Sequence, residues 1–319
     1  MGLLNVSGIV RKEKEDYLLK NVNFVQEASE KIAIAGATGS GKSTLLKIIA
    51  GLIQADAGEV LFEGVRVIGP QETLLPGHPK VGYLSQNFEL RNNYRIQELL
   101  EMANKLSQKD AGLIYEICRI EHLLNRWSDE VSGGERQRIA FAKTLVTSPK
   151  LLLLDEPFSN LDAIHKGILK SVVDDIGEQL DTTCILVSHD PADLLSWADQ
   201  IIILDKGKII QKGDPQEVYN HPVNEYAAAL FGKYNVVSEE LIQLFPSLRS
   251  GVRRFMRPGD FTIGNSPSAG IQAKVKTSAF MGTYYEAQID LSGHTVIVIT
   301  NFNLDPGDTV YISLRLNPE

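Results

Sequence analysis

The chain has 319 residues, enough for one large domain and a smaller one that each bury a core. Its hydrophobic content of 43% and charged content of 23% are ordinary for a soluble globular protein. The formal net charge of −8 argues against nucleic acid as the main partner, and no apolar run approaches the roughly 18–20 residues that a membrane-spanning helix requires.

The N-terminal segment does not have the pattern of a secretory signal peptide, because the sequence MGLLNVSGIVRKE reaches Arg11 too soon. Cys118 and Cys184 belong to no metal-binding or redox motif and are expected to be buried, reduced thiols. Together these features predict a cytoplasmic protein.

Strands alternate with helices over roughly the first 235 residues. Short apolar runs predict strands buried on both faces of a parallel sheet, in KIAIAG (31–36), LLLLD (151–155), CILVSH (184–189) and QIIILD (200–205). Amphipathic patterns predict helices in IQELLEMANKL (96–106) and AGLIYEICRIEHLLNRW (111–127). The expected fold class is therefore α/β, with a mainly parallel sheet and a helical insert at about residues 87–131.

A phosphate-binding loop is predicted directly after the first of these strands. The sequence AIAGATGSGKST contains Gly36, four further residues, and then Gly41, Lys42 and Ser43. Glycines let the backbone curl so that its N–H groups face phosphate oxygens, while the lysine reaches the β- and γ-phosphates and the serine hydroxyl reaches Mg²⁺. A purely structural glycine turn is the competing interpretation.

Further polar residues follow other apolar runs. Asp155 can hold a magnesium ion through water, and Glu156 is placed to polarise an attacking water as a general base, although two helix-capping acids are the alternative. His189 is expected at the carboxyl edge of the sheet, within reach of a γ-phosphate, although a structural histidine is the alternative. The amide of Gln86, which follows VGYL, could reach the metal and the water.

The stretch VSGGERQR (131–138) predicts the start of a helix. Ser132, Gly133 and Gly134 stand before Glu135, a pattern typical of a helix N-terminus with uncovered backbone N–H groups. Such a start can hold an anion.

The pattern changes from about residue 252 onward. IQAKVKT, YYEAQIDL, TVIVIT and TVYISLRL alternate with period two and are separated by the turns MGT, LSGH and DPGD. A small all-β, barrel-like domain is predicted over residues 236–319, after a linker near GKYNVVSEE (232–240).

The motifs GATGSGKST, YLSQ, VSGGERQR, LLLLDEP, SNLD and VSHD, in this order, resemble those of ATP-binding cassette ATPases. The resemblance covers about residues 3–235 and implies a phosphate-loop cassette, residues 1–235, that hydrolyses ATP with Mg²⁺. It implies catalytic roles for Glu156 and His189. The residues that it implies for Mg²⁺ are Ser43, Gln86 and Asp155. The residues that it implies for ATP are Gly36, Ala37, Thr38, Gly39, Ser40, Gly41, Lys42, Ser43 and Thr44.

The same resemblance implies a sandwich dimer of two copies around two ATP–Mg. The helix that begins at Ser132 would bind the γ-phosphate of the ATP held by the phosphate loop of the other copy. The contacts in trans would come from Ser132, Gly133, Gly134 and Glu135. Asp162, in SNLD, would cross the same interface.

Downstream, GDPQEVYNHPVNEYAAALFG, FMRPGDF and PGDTVYISL resemble the end of the cassette of bacterial importers and the transport-associated barrel domain after it. This implies an ATPase subunit at the cytoplasmic face of the inner membrane, with a transmembrane permease docked in the cleft beside Gln86 and a solute-binding protein as an indirect partner. Ferric iron, sulfate, molybdate, sugars and polyamines are all compatible solutes. The alternatives are an exporter ATPase and a nucleic-acid-linked member of the family; the balance of seven basic and eight acidic residues from Val236 onward argues against the latter.

Overall fold

The computed structural model describes residues 2–85, 90–159, 161–180, 182–249 and 253–315. The chain divides into two compact units, Met1–Pro215 and Gln216–Glu319. The strands and helices of the first unit are β1 (Leu4–Glu13), β2 (Asp16–Gln26), β3 (Lys31–Ala35), α1 (Lys42–Ile49), β4 (Ala57–Phe62), β5 (Val65–Arg66), β6 (Val81–Leu84), α2 (Ile96–Glu101), α3 (Gln108–Ile117), α4 (Gly133–Leu145), β7 (Leu151–Asp155), α5 (Ala163–Gln179), β8 (Thr183–Val187), α6 (Pro191–Leu195), β9 (Gln200–Asp205) and β10 (Lys208–Gly213).

A mainly parallel sheet forms the centre of the first unit. Among the described residues, six strands lie in the order β10-β9-β3-β8-β7-β6, and only the β10–β9 pair is antiparallel. Strands β7 and β8 are buried along their whole lengths, as expected where both faces of a sheet are covered. The strands predicted from KIAIAG, LLLLD, CILVSH and QIIILD are confirmed as β3, β7, β8 and β9.

The register of this sheet brings the chemically distinctive residues to one edge. Val187 pairs with Ile34 on one side and with Asp155 on the other. The three parallel strands therefore end at the same level, and the segments that follow them share the carboxyl edge, where open α/β sheets bind ligands.

An antiparallel sheet with the order β2-β1-β4-β5 packs against the same core. Its buried side chains, which include Leu4, Phe24 and Phe62, join Leu46 of α1 and Leu153 of β7 in one hydrophobic cluster. This packing fixes the position of α1 and thus of the loop before it.

The two predicted helices of the insert are shorter than their sequence patterns. Helix α2 ends at Glu101 rather than near residue 106, and α3 ends at Ile117 rather than near residue 127. Arg119 adopts a left-handed backbone conformation (φ 55°), which cannot continue a right-handed helix, and a 3₁₀ turn at Glu121–Leu123 follows. The apolar periodicity beyond residue 117 therefore reflects burial of Ile120 and Leu123 in a turn and not a continuous helix.

The second unit is rich in antiparallel strands. Five strands in its described part have the order β13-β17-β14-β15-β16, and the two end strands, β13 and β16, also approach each other, so the sheet curls. The predicted barrel-like fold is confirmed. Its elements are α7 (Pro215–Asn220), α8 (Glu225–Leu230), β11 (Asn235–Val236), α9 (Glu239–Leu244), β12 (Phe255–Met256), β13 (Phe261–Gly264), β14 (Ile271–Phe280), β15 (Tyr285–Leu291), β16 (His294–Thr300) and β17 (Thr309–Leu314).

The segment before β11 belongs to this second unit. The buried Arg257 donates hydrogen bonds to the carbonyl oxygens of Tyr219 (3.0 Å) and Ala228 (2.9 Å), at the ends of α7 and α8. In the predicted linker, the side chain of Asn235 exchanges two hydrogen bonds with the backbone of Ile297 (2.8 and 2.7 Å). The predicted domain boundary after residue 235 stays a prediction, while the compact units divide after residue 215.

Candidate active site

The predicted phosphate loop lies between β3 and α1 at the carboxyl edge of the sheet. Gly39 (φ 81°) and Gly41 (φ 105°) adopt left-handed backbone conformations that favour glycine. A Cβ atom at residue 41 would lie 2.7 Å from the carbonyl oxygen of Leu18, so a side chain has no room there. Helix α1 begins directly after Gly41 without a side-chain cap, and the backbone N–H groups of its first turn can therefore serve an anion.

Lys42 closes this loop with its side chain. Its Nζ donates to the carbonyl oxygens of Gly36 (2.7 Å) and Ala37 (2.9 Å), and the residue is only 5% exposed. The pKa of Lys42 lies below its ordinary value because burial outweighs the opposing effect of the Glu156 and Asp155 carboxylates. The amine is thus held against the loop backbone, where phosphate oxygens would meet it.

Asp155 is buried at the end of β7, and both of its carboxylate oxygens accept hydrogen bonds. Oδ1 accepts from the hydroxyl of Ser43 (2.9 Å), and Oδ2 accepts from the phenol of Tyr83 (2.8 Å). Burial, and then the charge of Asp155, raises the pKa of Tyr83, so the phenol keeps its proton and remains a donor. Ser43 and Asp155 bring hydroxyl and carboxylate oxygens together, which is the donor type that Mg²⁺ prefers.

Glu156 and His189 face each other beside this cluster. The Oε2 atom of Glu156 lies 3.5 Å from Nδ1 of His189, and the side chains are 22% and 67% exposed. Glu156 has a left-handed backbone conformation (φ 50°), and its N–H donates to the carbonyl oxygen of Val187 (3.0 Å). This bond ties the residue after β7 to the last residue of β8. The carboxylate of Glu156 remains partly exposed, so water can reach it.

The VSGGERQR stretch forms the N-terminus of α4, as predicted. Ser132 Oγ accepts from the backbone N–H of Glu135 (3.3 Å), while the Glu135 carboxylate accepts from the N–H of Ser132 (2.8 Å). The bond from the Ser132 backbone is the main cause that lowers the pKa of Glu135. This reciprocal capping box leaves Gly133 with open space on its α-carbon, whereas Gly134 is covered by the ring of His165.

Asp162 is the N-cap of α5 and also binds His165. Its Oδ1 accepts from the backbone N–H groups of Ile164 and His165 (both 3.0 Å), and its Oδ2 lies 2.6 Å from Nδ1 of His165. These bonds lower the pKa of Asp162, with the bond from the His165 backbone as the main cause. Asp162 and Gly134 are therefore linked, through one histidine, within a single chain.

A family model described as ABC transporter matches residues 19–159. The glucose import ATP-binding protein GlcV of Saccharolobus solfataricus is 38% identical over 239 residues, which cover 72% of this chain and 67% of that protein. This chain belongs to the ABC transporter family. The spermidine/putrescine import ATP-binding protein PotA of Clostridium acetobutylicum is 26% identical over 335 aligned positions, which cover 98% of this chain and 94% of that protein.

Solved structures of ABC cassettes have the same fold. A dimeric structure of the ATP-binding cassette MJ0796 bound to ADP and Pi matches with a TM-score of 0.57 and 25% identity, covering 66% of this chain and 98% of that chain. The ADP conformation of MJ1267, an ATP-binding cassette of an ABC transporter, matches with a TM-score of 0.60 and 23% identity, covering 72% and 98% of the two chains. The predicted family, the ATPase class and the fold class are confirmed, and the residues that the family model matches lie within the first unit.

The ABC cassette gathers most of the predicted site residues, but in two groups. The first group lies at the carboxyl edge of the sheet and contains the phosphate loop, Asp155, Glu156 and His189. The second group contains Ser132 and Asp162, which cap the neighbouring starts of α4 and α5. Gln86 lies outside the described residues. The roles assigned to all of these residues stay predictions.

Two further residues were missed at the level of sequence. Tyr83 lies on β6, whose register with β7 pairs it with Leu153, and His165 lies in the first turn of α5. Tyr83 is the first residue of the YLSQ motif, but the motif alone assigns it no contact, and His165 lies outside the motifs. Both residues contact predicted site residues through pairings between distant segments. Within the described ranges, this ABC protein has no helix that is long and apolar enough to cross a bilayer.

Proposed function

We propose that this chain is the ATPase subunit of a solute importer and drives a separate transmembrane permease. The observation that carries the proposal is the cluster of Lys42, Ser43, Asp155 and Glu156 at one sheet edge, in a chain 38% identical to a glucose import ATP-binding protein. The second relative is also an import protein, and it matches almost the whole chain, including the curled β unit. An exporter or nucleic-acid-linked role has no such support.

In the proposed mechanism, the loop from Gly36 to Thr44 binds the phosphates of ATP. The N–H groups at the start of α1 and the amine of Lys42 provide positive electrostatic potential for the phosphate oxygens. Glu156 accepts a proton from the attacking water, which its partly exposed carboxylate can contact. His189 lies beside that carboxylate and contacts the γ-phosphate.

The donor set fits a magnesium ion, since the Ser43 hydroxyl and the Asp155 carboxylate meet at 2.9 Å. In the proposal these two residues, with Gln86, would hold Mg²⁺ together with ATP. The ion would supply positive charge that neutralises the phosphate oxygens. Tyr83 keeps the Asp155 carboxylate oriented through its own hydrogen bond.

Two copies of the chain complete the site. Ser132, Gly133 and Gly134 of one copy contact the ATP held by the loop of the other copy, and Asp162 reaches the same interface. The exposed position of Ser132 and Gly133 in one chain supports this arrangement, as does the dimer of the MJ0796 cassette. Such a two-fold interface is isologous, so each copy supplies both halves and the two composite sites are equivalent.

The permease is proposed to dock in the predicted cleft between the sheet core and the helical insert. A cleft of 740 Å³ there is lined by Tyr83 and Asp155 of the sheet, by Ala103 of the insert and by Lys143 of α4. A docked segment would therefore respond to changes in the sheet, the insert and α4. The chain then works at the cytoplasmic face of the membrane, and a solute-binding protein delivers the solute to the permease. One relative is a glucose import protein and the other a spermidine/putrescine import protein, so a sugar and a polyamine are the first solutes to test.

The experiment starts from the neighbouring genes, where we expect a permease and a solute-binding protein, and reconstitutes this chain with both. In proteoliposomes, ATP hydrolysis should rise when the solute-loaded binding protein is added, and solute should accumulate on the side that carries the ATPase. The Glu156→Gln chain is the matched control, because it should assemble with the permease but transport almost no solute. Solute movement in the opposite direction, or stimulation by DNA or RNA instead of the binding protein, would contradict the proposal.

A further inference from the structure

His165 lies between two segments that the proposed dimer places at its interface. It belongs to the first turn of α5, three residues after the N-cap Asp162, and its ring reaches the first turn of α4. The two segments are nearly 30 positions apart in sequence, and this side chain contacts both of them.

The contact with α4 is close. A Cβ atom built on Gly134 would lie 2.7 Å from Cδ2, 3.2 Å from Cγ and 3.5 Å from Cβ of His165. The three nearest atoms to that point all belong to one side chain, so the histidine covers the α-carbon of Gly134. Gly133 differs, because a Cβ atom there would meet nothing within 4 Å. The His165 ring therefore favours glycine at residue 134 within a single chain, independently of any contact with a partner.

The contact with Asp162 fixes the direction of the ring. The cap of α5 uses only Oδ1 of Asp162, whereas Oδ2 lies 2.6 Å from Nδ1 of His165. A cap alone would leave Oδ2 to the solvent. Because this second oxygen binds Nδ1, the ring is held with its Cδ2 edge against Gly134.

We propose that His165 is a positioning residue that joins Asp162 to the Gly134 turn, so that both meet the partner cassette as one rigid surface. The inference rests on the proposed function, because it assigns this surface to the ATP-bound dimer. Without the imidazole, the Asp162 loop and the start of α4 would lose the side chain that joins them in the described part of the chain, and each would depend on its own cap and neighbouring contacts. The dimer would then have to order both before it could close.

The test measures ATP-driven dimerisation in a Glu156→Gln background, which slows turnover. The full-length chain is titrated in concentration by analytical ultracentrifugation with Mg-ATP, and ATP affinity is measured separately in dilute, monomeric samples. His165→Ala should weaken dimerisation by about 2- to 30-fold, as expected when an exposed hydrogen-bonded contact is lost at two symmetry-related places. ATP affinity of the monomer should not change, because the phosphate loop is untouched.

Two further variants separate positioning from general packing. His165→Asn keeps an amide N–H that can donate to Asp162 in place of Nδ1 and should restore most of the dimerisation. Gly134→Ala should weaken dimerisation through its clash with the ring, and the double variant Gly134→Ala/His165→Ala should do no worse than Gly134→Ala alone. His122→Ala, at an exposed histidine of the insert, is the control and should match the parent.

The outcomes distinguish this inference from the proposed function. If the parent dimerises with ATP and His165→Ala dimerises equally well, the positioning role is wrong while the sandwich dimer stands. Strictly additive effects of Gly134→Ala and His165→Ala would also overturn it, because residues in contact should couple. If the parent itself does not dimerise with ATP, the sandwich dimer and this inference both fail.

Discussion

The two groups of site residues differ in how completely a single chain builds them. On the phosphate-loop side, Lys42 and Asp155 are buried, and each binds groups brought from other segments. On the side of α4, Ser132 is exposed, and its capping partner Glu135 lies only three residues away. The group around Lys42 and Asp155, the buried side, is a preorganised pocket. The group around Ser132 and Glu135, the exposed side, is a well-capped helix start on the surface.

This difference separates two kinds of defect. Damage to the buried group should act on ATP binding or hydrolysis even in a single chain, because its geometry does not depend on a partner. Damage to the exposed group should leave the single chain intact and act only when two copies meet. The following substitutions test that separation.

Lys42→Ala should have the broadest effect, because loss of ATP binding also removes hydrolysis and dimerisation. It removes the buried amine from the carbonyl oxygens of Gly36 and Ala37 and removes the positive charge expected to meet the phosphates. Loss of one member of a buried charged contact typically costs about 3–5 kcal/mol, so ATP affinity should fall by about 10³-fold. Titration with fluorescent ATP measures this. Lys47→Ala, in the same helix, is the control, and parental affinity in Lys42→Ala would mean that ATP binds elsewhere.

Glu156→Gln should separate hydrolysis from binding within the buried side. The amide keeps the size of the carboxylate but cannot accept the proton of the attacking water, so turnover should fall by about 10²–10⁴-fold. ATP affinity should remain parental, and dimers should accumulate with ATP. Phosphate release is the measurement, with Glu121→Gln as a surface control. Turnover close to that of the parent would remove Glu156 from the role of general base.

Gly133→Asp tests the exposed side with little structural disturbance. Residue 133 has open space, and an acidic residue in the first turn of a helix is favourable, so the thermal midpoint should not fall. At about 4 Å, two unit charges repel by about 4 kcal/mol at an effective dielectric of 20, and salt screens part of this. ATP-driven dimerisation, measured in the Glu156→Gln background, should weaken by about 100-fold, while the uncharged control Gly133→Asn should lose much less.

Mixing this variant with Lys42→Ala makes the test of action in trans sharper. In the mixed dimer both lesions fall in one composite site, and the other site is intact. Size-exclusion chromatography with ATP should therefore show a dimer for the mixture that neither variant forms alone. If monomeric Gly133→Asp instead loses its own ATP affinity, the action in trans is contradicted, and α4 must lie beside the phosphate loop of the same copy.

The buried side is also the part that sequence predicts best, and the reason is local. A strand covered on both faces requires consecutive apolar residues, so β3, β7, β8 and β9 are visible as runs of four or five. The polar residues that follow them are then assigned to one edge by topology alone. Glycines with left-handed conformations at residues 39 and 41 add a pattern that few other structures require.

The missed features depend on contacts between distant segments. Tyr83 reaches Asp155 only because β6 joins the sheet beside β7 in a given register, and His165 reaches Gly134 only because α4 and α5 pack at their starts. The early end of α3 depends on the left-handed conformation of Arg119, a residue type with no such preference. Periodicity reports which face is buried but not the point at which a helix gives way to a turn.

Tyr83→Phe should have the smallest effect and falls within the buried side. It removes the phenol that donates to Oδ2 of Asp155 but keeps the ring, so packing on β6 is retained. Among the described side chains, the Ser43 hydroxyl is then the remaining hydrogen-bond donor to the Asp155 carboxylate, and Ser43 is itself a predicted magnesium ligand. Loss of a partner that orients a metal ligand commonly weakens metal binding by about 10-fold or somewhat more. The Mg²⁺ concentration for half-maximal hydrolysis should rise by about that factor.

The phenol would act on the metal and not on the phosphate loop, so binding of ATP in EDTA should equal that of the parent. Mn²⁺ binding in the presence of ATP, followed by electron paramagnetic resonance, gives a direct measure without turnover. Tyr115→Phe, at a partly buried tyrosine of α3, controls for the loss of a hydroxyl elsewhere in the cassette. Equal Mg²⁺ and Mn²⁺ affinities in Tyr83→Phe and the parent would mean that Ser43 alone orients Asp155. In that case the buried side would rely on fewer long-range contacts than its geometry indicates.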